Sequence, residues 1–322
     1  MTKTAYLFGE IHGSEIVNMK EFEIWENFYN SGLRHLFLEI PYFEAQFLNI
    51  WMESKDDSIL NELWSDNEGT AGNSPFDHDF FAKIKLLCPK TIFHGTDIGH
   101  AYGTTGKRFL KTVSSDSEEY HFAAENIEQG KNFYEIWKNS PEEEADSFRE
   151  KAMAENFIRE FNSIDCDIVG FYGEAHVFSE CVGNFGISEN MRFLLLKHCG
   201  KEIEIVTELI KNLINPLSVE EIEIKGKRYL AGYFGKVYTP FDETCEFIEI
   251  FRLNDCGNEF INCPQKENYI PEALYPVPLN DGDVFVIDSL KGGKSFLRQI
   301  FICCGFSEEY GKITAEIDSE AL

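Results

Sequence analysis

The chain lacks the sequence patterns that identify several large enzyme classes. Its 322 residues contain no Gly-x-Ser-x-Gly and no His-Glu-x-x-His, and no Gly-x-Gly-x-x-Gly follows an apolar run. Gly293-Lys294-Ser295 has the ending of a phosphate-binding loop, but Asp288 occupies the first glycine position of that motif. The sequence therefore gives no signal for a serine nucleophile, a zincin helix, a dinucleotide site or a P-loop. An activated water is the more natural attacking group.

Basic residues are scarce. The chain has 29 Lys and Arg against 56 Asp and Glu, which gives a formal net charge of −27. An acidic surface repels phosphate backbones and anionic lipids, so we expect neither a nucleic acid nor a membrane as partner. Solubility is the default explanation of such acidity. No apolar run reaches the roughly 18 residues of a membrane-spanning helix, and the first apolar run is too short for a signal peptide.

Cysteines at metal-binding spacings are absent as well. The nine cysteines are scattered, odd in number and without the paired spacing of a zinc site. Cys303 and Cys304 are adjacent and are predicted to lie in the core of a strand. We therefore expect reduced thiols and a cytoplasmic protein. The hydrophobic content of 43% predicts a globular chain with a real core.

One motif is present twice. Gly9-Glu10-Ile11-His12 follows the apolar run Ala5–Phe8, and Gly173-Glu174-Ala175-His176 follows the apolar run Ile168–Tyr172. With only eight His and 24 Gly in the chain, coincidence is a poor explanation of two copies. Each copy combines a carboxylate with an imidazole, which are groups that move protons or bind metals.

Alternating strand and helix patterns predict an α/β fold whose sheet is largely parallel and flanked by helices. A strand, a helix and a second strand within the first 40 residues imply a parallel pair with a right-handed crossover. The predicted strands are Ala5–Phe8, Leu33–Ile40, Thr91–Phe93, Ile168–Tyr172 and Glu202–Val206. The predicted helices include Glu15–Asn30, Phe43–Trp64 with a break at Glu53–Ser58, Asp77–Leu87, Pro141–Asn162 and Ser188–His198.

Two regions depart from this alternation. The polar stretch Lys107–Ser140 has helical character and is predicted to be a lid or a helical insertion. Beyond Asn215-Pro216, short β-type runs are separated by clusters of Gly, Pro and Asn, which predicts a β-rich appendage. We therefore expect a catalytic α/β domain over residues 1–214 and a β-rich C-terminal region over residues 215–322.

Polar side chains occur where the predicted strands end. The first strand is followed by Glu10 and His12, the second contains Glu39, the third leads to His94 or Asp97, and the fourth is followed by Glu174 and His176. Parallel neighbouring strands would bring all these ends to one edge of the sheet, where α/β proteins bind their ligands. Residues i and i+2 of an extended chain point the same way, so Glu10 and His12 are expected to face one cleft.

The helix Pro141–Asn162 adds two polar residues on one face. Arg149, Met153 and Asn156 are spaced as i, i+4 and i+7, so Met153 can pack while its two polar neighbours reach a site. Each residue of the constellation also has a simpler interpretation. Arg149 alone is better explained as a solvated charge paired with Glu142 or Glu143.

Three further residues have a structural alternative. Glu39 could cap the helix that follows Pro41. His94 is best explained as a core histidine, and Asp97 could be a turn or N-cap residue. Their shared position at the ends of predicted strands is what favours a common site.

The set resembles the erythromycin-esterase-like family and the wider group that links it to the TraB, Tiki and ChaN proteins. That group is marked by an early Gly-x-x-His, a strand-end Glu, an Arg-x-x-x-Met-Ala-x-Asn helix and a late x-x-x-His. The matching segments here are Gly9–His12, Glu39, Arg149–Asn156 and Gly173–His176, in the order of the family. Gly95-Thr96-Asp97 is similar to the third-strand Gly-x-Asp of the group. The resemblance spans roughly residues 4–206 and leaves out the tail.

The resemblance implies an α/β sheet with its site at the strand ends. Tiki-like members are metal-dependent peptidases whose ligands are two His and a Glu, which correspond here to His12, Glu39 and His176. Esterase-like members open a macrolide lactone with a water activated by the Glu/His cluster, and ChaN-like members bind haem. The late motif of the esterase branch usually has two histidines three residues apart. Gly173 stands at the earlier position, which favours the Tiki/TraB side.

The first hypothesis is a hydrolase that cleaves an amide or ester bond of a small-molecule or peptide substrate. His12, Glu39 and His176 would bind a divalent cation or position a water directly. Zinc, manganese and cobalt all suit such a mixed nitrogen and oxygen set. A bound cation would lower the pKa of water toward neutrality.

The remaining predicted catalytic residues supply proton transfer and charge stabilisation. Glu10 or Glu174 would act as general base and then as proton donor to the leaving group, and the sequence leaves the choice open. Arg149 would stabilise the oxyanion that develops on the substrate carbonyl.

The second hypothesis is a module without turnover. His12 or His176 would then ligate haem or a metal for storage or sensing, and the β-rich tail would dock a partner. An inactive scaffold, in which the cluster only stabilises the sheet, is a third alternative. The sequence leaves the oligomeric state undetermined.

Overall fold

The computed structural model of the protein describes residues 2–178, 189–254, 256, 259–307 and 311–318, and its contacts group the chain into two compact units. The first unit takes in the described parts of Met1–Glu10, Glu21–Glu68 and His78–Leu209. The second takes in those of Ile11–Lys20, Gly69–Asp77 and Ile210–Leu322. A division into independent domains at residue 214 stays a prediction.

The first unit contains a five-stranded sheet in the order β3-β2-β4-β1-β5. Its strands are β1 Lys3–Glu10, β2 His35–Pro41, β3 Ile92–Asp97, β4 Ile168–Gly173 and β5 Ile203–Leu209. Every neighbouring pair is parallel, which confirms the predicted α/β class. The central strand β4 is buried over nearly its whole length, as expected where helices cover both faces of a parallel sheet.

Nine α-helices occur within the described residues. They are α1 Glu15–Asn30, α2 Tyr42–Met52, α3 Ser58–Asp66, α4 Pro75–Leu87, α5 Lys107–Phe109, α6 Glu118–Asn139, α7 Glu142–Asn162, α8 Glu174–Val177 and α9 Met191–Cys199. Helix α7 follows Pro141 and has three glutamates in its first turn, which complement the helix dipole as predicted. The predicted start of the last helix, Ser188, lies outside the described residues. Helix α9 is capped by Asn190, whose Oδ1 accepts from the Phe193 amide at 3.0 Å.

One face of helix α7 packs on the sheet. Met153, Phe157 and Phe161 are almost fully buried and lie one turn apart. The ring of Phe157 lies 5.0 Å from that of Phe37 on β2 and 6.5 Å from that of Tyr172 on β4, measured between centroids. This packing fixes the rotation of α7, so the residues of its N-terminal half are carried to the carboxyl ends of the strands.

Glycine is required where β3 lies against the end of β2. A Cβ atom at Gly95 would lie 2.3 Å from the carbonyl oxygen of Pro41, a distance that no side chain tolerates. Close approach here lets the register shift between Leu38 and Pro41, so that Asp97 pairs with Pro41. The shift places the carboxylate of Asp97 beside the end of β2.

The second unit contains a seven-stranded antiparallel sheet in the order β6-β7-β8-β10-β11-β12-β9. Its strands are β6 Ser218–Ile224, β7 Lys227–Tyr238, β8 Phe247–Leu253, β9 Gln265–Pro271, β10 Val284–Lys291, β11 Lys294–Ser307 and β12 Gly311–Ile317. A cluster that includes Phe251, Val286 and Ile302 forms its core. The β-rich character was predicted, but β6, β9 and β12 were not, because polar residues lower their β propensity and only pairing with neighbours selects the strand.

Two further sequence predictions concern membrane-spanning helices and the adjacent cysteines Cys303 and Cys304. Among the described residues, no helix is both long and apolar enough to cross a membrane. Cys303 is buried as predicted, whereas Cys304 is exposed, so its prediction as a core residue was wrong. Adjacent residues of a strand point to opposite faces, which is why the pair divides between them.

Candidate functional site

The two copies of the Gly-Glu-x-His motif lie side by side. Strands β1 and β4 are parallel neighbours, and Glu10 pairs with Gly173 across them. A Cβ atom on Gly9 would lie 3.1 Å from the Cα of Glu174, so glycine allows the second motif to pack directly against the first. Segments more than 160 positions apart therefore converge at one edge of the sheet.

Glu39 connects three of the elements that meet at this edge. Its Oε1 accepts from Arg149 Nη2 at 2.6 Å and lies 3.2 Å from His176 Nε2, and its Oε2 accepts from the Gly173 amide at 2.6 Å. Only 5% of its side chain is exposed. Glu39 does not cap helix α2, because its carboxylate points to α7 and to the end of β4.

Arg149 and Asp97 form a two-point ion pair. Arg149 Nε donates to Asp97 Oδ1 at 3.0 Å, and Nη2 donates to Oδ2 at 2.7 Å. Burial raises the pKa of Asp97, but the charges of Arg149 and His100 and their hydrogen bonds outweigh it and hold the pKa well below the ordinary range. Burial lowers the pKa of Arg149, and Asp97 and Glu39 more than offset this, so the guanidinium stays charged. The alternative of a solvated charge paired with Glu142 or Glu143 is excluded.

His176 is held between two carboxylates. Its Nδ1 lies 2.5 Å from Glu150 Oε1, and its Nε2 faces Glu39 Oε1. Burial lowers the pKa of His176, but the charge of Glu39 and the hydrogen bonds to Glu150 and Glu39 outweigh burial and raise the pKa to about 10. The ring is therefore cationic at neutral pH and donates from both nitrogens in this arrangement.

His12 follows the end of β1 by two residues and is exposed. One nitrogen of His12 and one carboxylate oxygen each from Glu10 and Glu39 lie within 4.8 Å of one another. Such a mixed set of one imidazole and two carboxylates suits zinc, manganese or cobalt. Among the described residues this is the group with donors spaced for a metal, and it contains two of the three ligands predicted from the sequence; His176 is not part of it.

A buried amide network fixes the last two residues of β3. Asn156 Nδ2 donates to the Thr96 carbonyl at 3.2 Å and to Gln129 Oε1 at 2.9 Å, and Asn126 Nδ2 donates to the Asp97 carbonyl at 2.7 Å. Asn156 was predicted to reach a polar site from its helical spacing, and it reaches the backbone of the site. Asn126 and Gln129 lie on α6, within the stretch Lys107–Ser140 that was predicted to be a lid or a helical insertion.

His94 lies away from this edge, as its interpretation as a core histidine predicted. It is 7% exposed and stacks on Phe37 with ring centroids 4.5 Å apart. Its Nδ1 lies 2.9 Å from Glu160 Oε2, and its Nε2 lies 2.8 Å from His35 Nδ1. Strand β3 therefore delivers Asp97 to the site and keeps His94 inside.

Sequence reasoning missed two residues of the site. Glu150 contacts His176, and His100 Nε2 lies 3.0 Å from Asp97 Oδ2 while its Nδ1 lies 2.9 Å from the Tyr134 hydroxyl. The signal for His100 was its position three residues after Asp97. No periodicity marks Glu150, because its partner is distant in the chain.

Comparison with known proteins gives a likeness of fold only. No protein-family model and no curated protein matches the chain. A solved Bacillus cereus protein of unstated function is similar over 100% of this chain and 87% of its own, at 13% identity and a TM-score of 0.49. A mutant erythromycin esterase in its open conformation is similar over 64% of this chain and 69% of its own, at 11% identity and a TM-score of 0.46. A succinoglycan biosynthesis protein is similar over 64% and 65%, at 10% identity and a TM-score of 0.45.

Glu44 on helix α2 makes the stability of the protein depend on pH. It is 6% exposed, its Oε1 has no hydrogen-bond partner within the described structure, and its Oε2 accepts from Asn67 over a long 3.4 Å. Burial is the main cause that raises the pKa of Glu44 to about 8. The unfolded chain ionises this carboxyl near 4.5 and the folded chain near 8, so the free energy of unfolding falls as pH rises between these values.

We expect Glu44→Gln to remove this slope. Wild-type protein should lose up to about 1.4 kcal/mol per pH unit within that interval relative to the variant, and denaturant titrations at a series of pH values measure it. Glu155→Gln, at an exposed position of α7, is the control and should keep the wild-type slope. Parallel curves for wild type and Glu44→Gln would contradict the prediction.

Proposed function

We propose that the protein is a hydrolase that cleaves an amide or ester bond with a water activated by the Glu/His cluster at the strand ends. The observation that carries this proposal is the position of Glu39, whose carboxylate contacts Arg149, His176 and the Gly173 amide at once. Buried charges of both signs collected at the carboxyl edge of a parallel sheet are costly to maintain for stability alone. They are typical of sites that transfer protons and stabilise developing charge.

In the proposed reaction, a carboxylate removes a proton from water as the water oxygen attacks the substrate carbonyl. Glu10 and Glu174 are the candidate bases, since Glu10 ends β1 and Glu174 directly follows β4, its parallel neighbour. The new carbon–oxygen bond converts the carbonyl oxygen to an oxyanion. The carboxylic acid then gives its proton to the leaving oxygen or nitrogen as that bond breaks, which regenerates the base.

Arg149 and His176 would stabilise the oxyanion. The contacts of Arg149 with Asp97 and Glu39 use Nε and Nη2, so Nη1 is the nitrogen that would reach a substrate oxygen. The cationic ring of His176 adds positive charge next to it. Donors that are fixed before the substrate arrives stabilise the transition state without reorganisation.

The donor set also fits a divalent cation. Glu10, His12 and Glu39 supply donors close enough to share an ion. His176 was predicted as a third ligand, but both of its ring nitrogens face carboxylates and it is not part of this group. A bound zinc, manganese or cobalt ion would make water more acidic. Two alternatives remain: a module that binds haem or stores a metal without turnover, and an inactive scaffold. The experiment below separates them from the hydrolase.

Turnover by Glu10→Gln and His176→Ala tests the proposal. We expect each to lower kcat against responsive esters or peptides by on the order of 10²-fold, since acid–base and oxyanion groups contribute at this level. His198→Ala, an exposed histidine of α9, is the control and should be unchanged. The metal content and the visible spectrum of the purified protein identify a bound ion or haem. Full turnover in both variants would end the proposal.

A further inference from the structure

Both carboxylate oxygens of Glu150 are engaged. The side chain is 1% exposed, and it comes from α7 directly after Arg149. Its Oε1 lies 2.5 Å from His176 Nδ1, and its Oε2 accepts from the Met191 amide at 2.5 Å. The Met191 amide opens helix α9, so the carboxylate is fixed at one oxygen by backbone and presents the other to the ring.

The His176 ring is consequently held at two points. Glu150 engages Nδ1, while Nε2 points to Glu39 Oε1 at 3.2 Å. Rotation about either side-chain bond of His176 would break at least one of these contacts. The ring orientation is thus determined by a residue that lies on the side away from Glu39.

A role for Glu150 in capping helix α9 does not account for this arrangement. Asn190 already caps that helix through its contact with the Phe193 amide. The Met191 amide needs one acceptor oxygen, and an uncharged side chain could supply it. Burying a full carboxylate for this purpose is expensive, so the contact with His176 is the part that calls for a charge.

We propose that Glu150 is a positioning residue, which holds the His176 ring so that Nε2 faces Glu39 and the reacting groups. The inference rests on the proposed hydrolase function for its consequence in catalysis. Its structural part, the orientation of the ring, is measurable without a substrate. Carboxylates that orient a metal-binding histidine from behind commonly contribute 10- to 100-fold in metal affinity or activity, and we expect an effect of the same order for His176.

The chain offers a matched control on the same helix. Glu160 lies ten residues after Glu150, is 8% exposed and contacts His94 Nδ1 at 2.9 Å. Both residues are therefore buried glutamates of α7 that hydrogen-bond a histidine. Only Glu150 does so at the carboxyl edge of the sheet, so any purely structural effect of losing a buried Glu–His contact should appear in both variants.

Glu150→Gln and Glu160→Gln should separate positioning from structure. We expect Glu150→Gln to lower kcat by about 10- to 100-fold with KM within about threefold of wild type, and Glu160→Gln to keep both constants. In ¹⁵N-labelled protein, the Nδ1–H signal of His176 should lie far downfield, vanish in Glu150→Gln and persist in Glu160→Gln. If Glu150→Gln does not fold, Glu150→Asp replaces it, since the shorter side chain cannot reach both partners.

The two readouts assign failure to different claims. Persistence of the His176 signal in the Glu150 variant, or equal losses of kcat in both variants, would overturn the positioning role. Loss of the signal in Glu150→Gln alone, in a protein whose wild type turns over no ester or peptide, would support the orientation of the ring and count against the hydrolase proposal.

Discussion

Arg149→Met should lower the free energy of unfolding by about 3–5 kcal/mol at pH 7, because it leaves two buried carboxylates without their shared cation. Asp97 is 1% exposed, and the side chain of Glu39 is 5% exposed. Neither can recover its hydration when the guanidinium is removed. Methionine has a similar length and retains the apolar contacts of the arginine stem. The fall in the free energy of unfolding therefore measures mainly the loss of the positive charge.

The loss should shrink at low pH. The depressed pKa of Asp97 contributes stability that is present above the ordinary aspartate pKa near 4 and is lost as pH falls through the folded value. Wild-type protein should therefore lose stability on acidification faster than Arg149→Met, and the two denaturation curves should approach each other. Chemical denaturation between pH 7 and pH 3 measures this convergence.

Lys131→Met is the matched control for Arg149→Met. Lys131 pairs with Glu128 at 3.0 Å on the surface of α6, where both side chains are about half exposed. Surface pairs of this kind are worth roughly 0–1 kcal/mol, so the control should change stability by no more than that. A similarly small change in Arg149→Met would mean that the ion pair is solvated, and the description of the site would be wrong.

Glu39→Gln should have the largest effect on turnover, a fall in kcat on the order of 10⁴-fold. The amide removes the negative charge that faces His176 and Arg149 together, so the contributions of Arg149 and of His176 to oxyanion stabilisation are both weakened. Each of these contributions is worth on the order of 10²-fold, and their product gives the expected value. Glutamine has the same shape and can still accept from the Gly173 amide.

Stability and turnover should respond differently to Glu39→Gln. The hydrogen bonds that remain limit the loss of stability to about 1–3 kcal/mol, as for other buried polar partners. Asp97→Asn is the informative comparison, because Asp97 shares Arg149 but does not contact His176 within the described hydrogen bonds. We expect a smaller fall in kcat there. Equal turnover in Glu39→Gln and wild type would remove Glu39 from the mechanism.

Much of the fold was predictable because it follows from local patterns. Apolar runs bounded by Gly and Pro gave the parallel strands, and helix α1 begins and ends where its periodicity predicts. In the second unit, strand β6 was missed because it contains three glutamates in seven residues. Its strand conformation is stabilised by the ladder to β7, which is a property of the neighbour and not of the segment.

The candidate site was predictable only in outline. Common position at strand ends predicted that Glu10, Glu39 and Glu174 lie at one edge of the sheet, and the parallel pairing of β1 and β2 with β4 brings the ends of these strands side by side. The choice between His94 and Asp97 required the tertiary structure. Asp97 is the last residue of β3 and contacts Arg149 at the edge, whereas His94 lies three residues earlier and packs inside against Phe37 and Glu160.

By itself the sequence predicted which polar residues would lie at the strand ends and that a parallel sheet would bring them to one edge, because alternation and turn residues act over a few positions of chain. The tertiary structure alone decided that Arg149 pairs with the buried carboxylates of Asp97 and Glu39, and that Glu150 lies behind His176. Both outcomes depend on the rotation of α7 about its axis, which is set by how Phe157 and Met153 pack on the sheet. Packing of this kind is a sum over distant partners, so no local pattern in the chain encodes it.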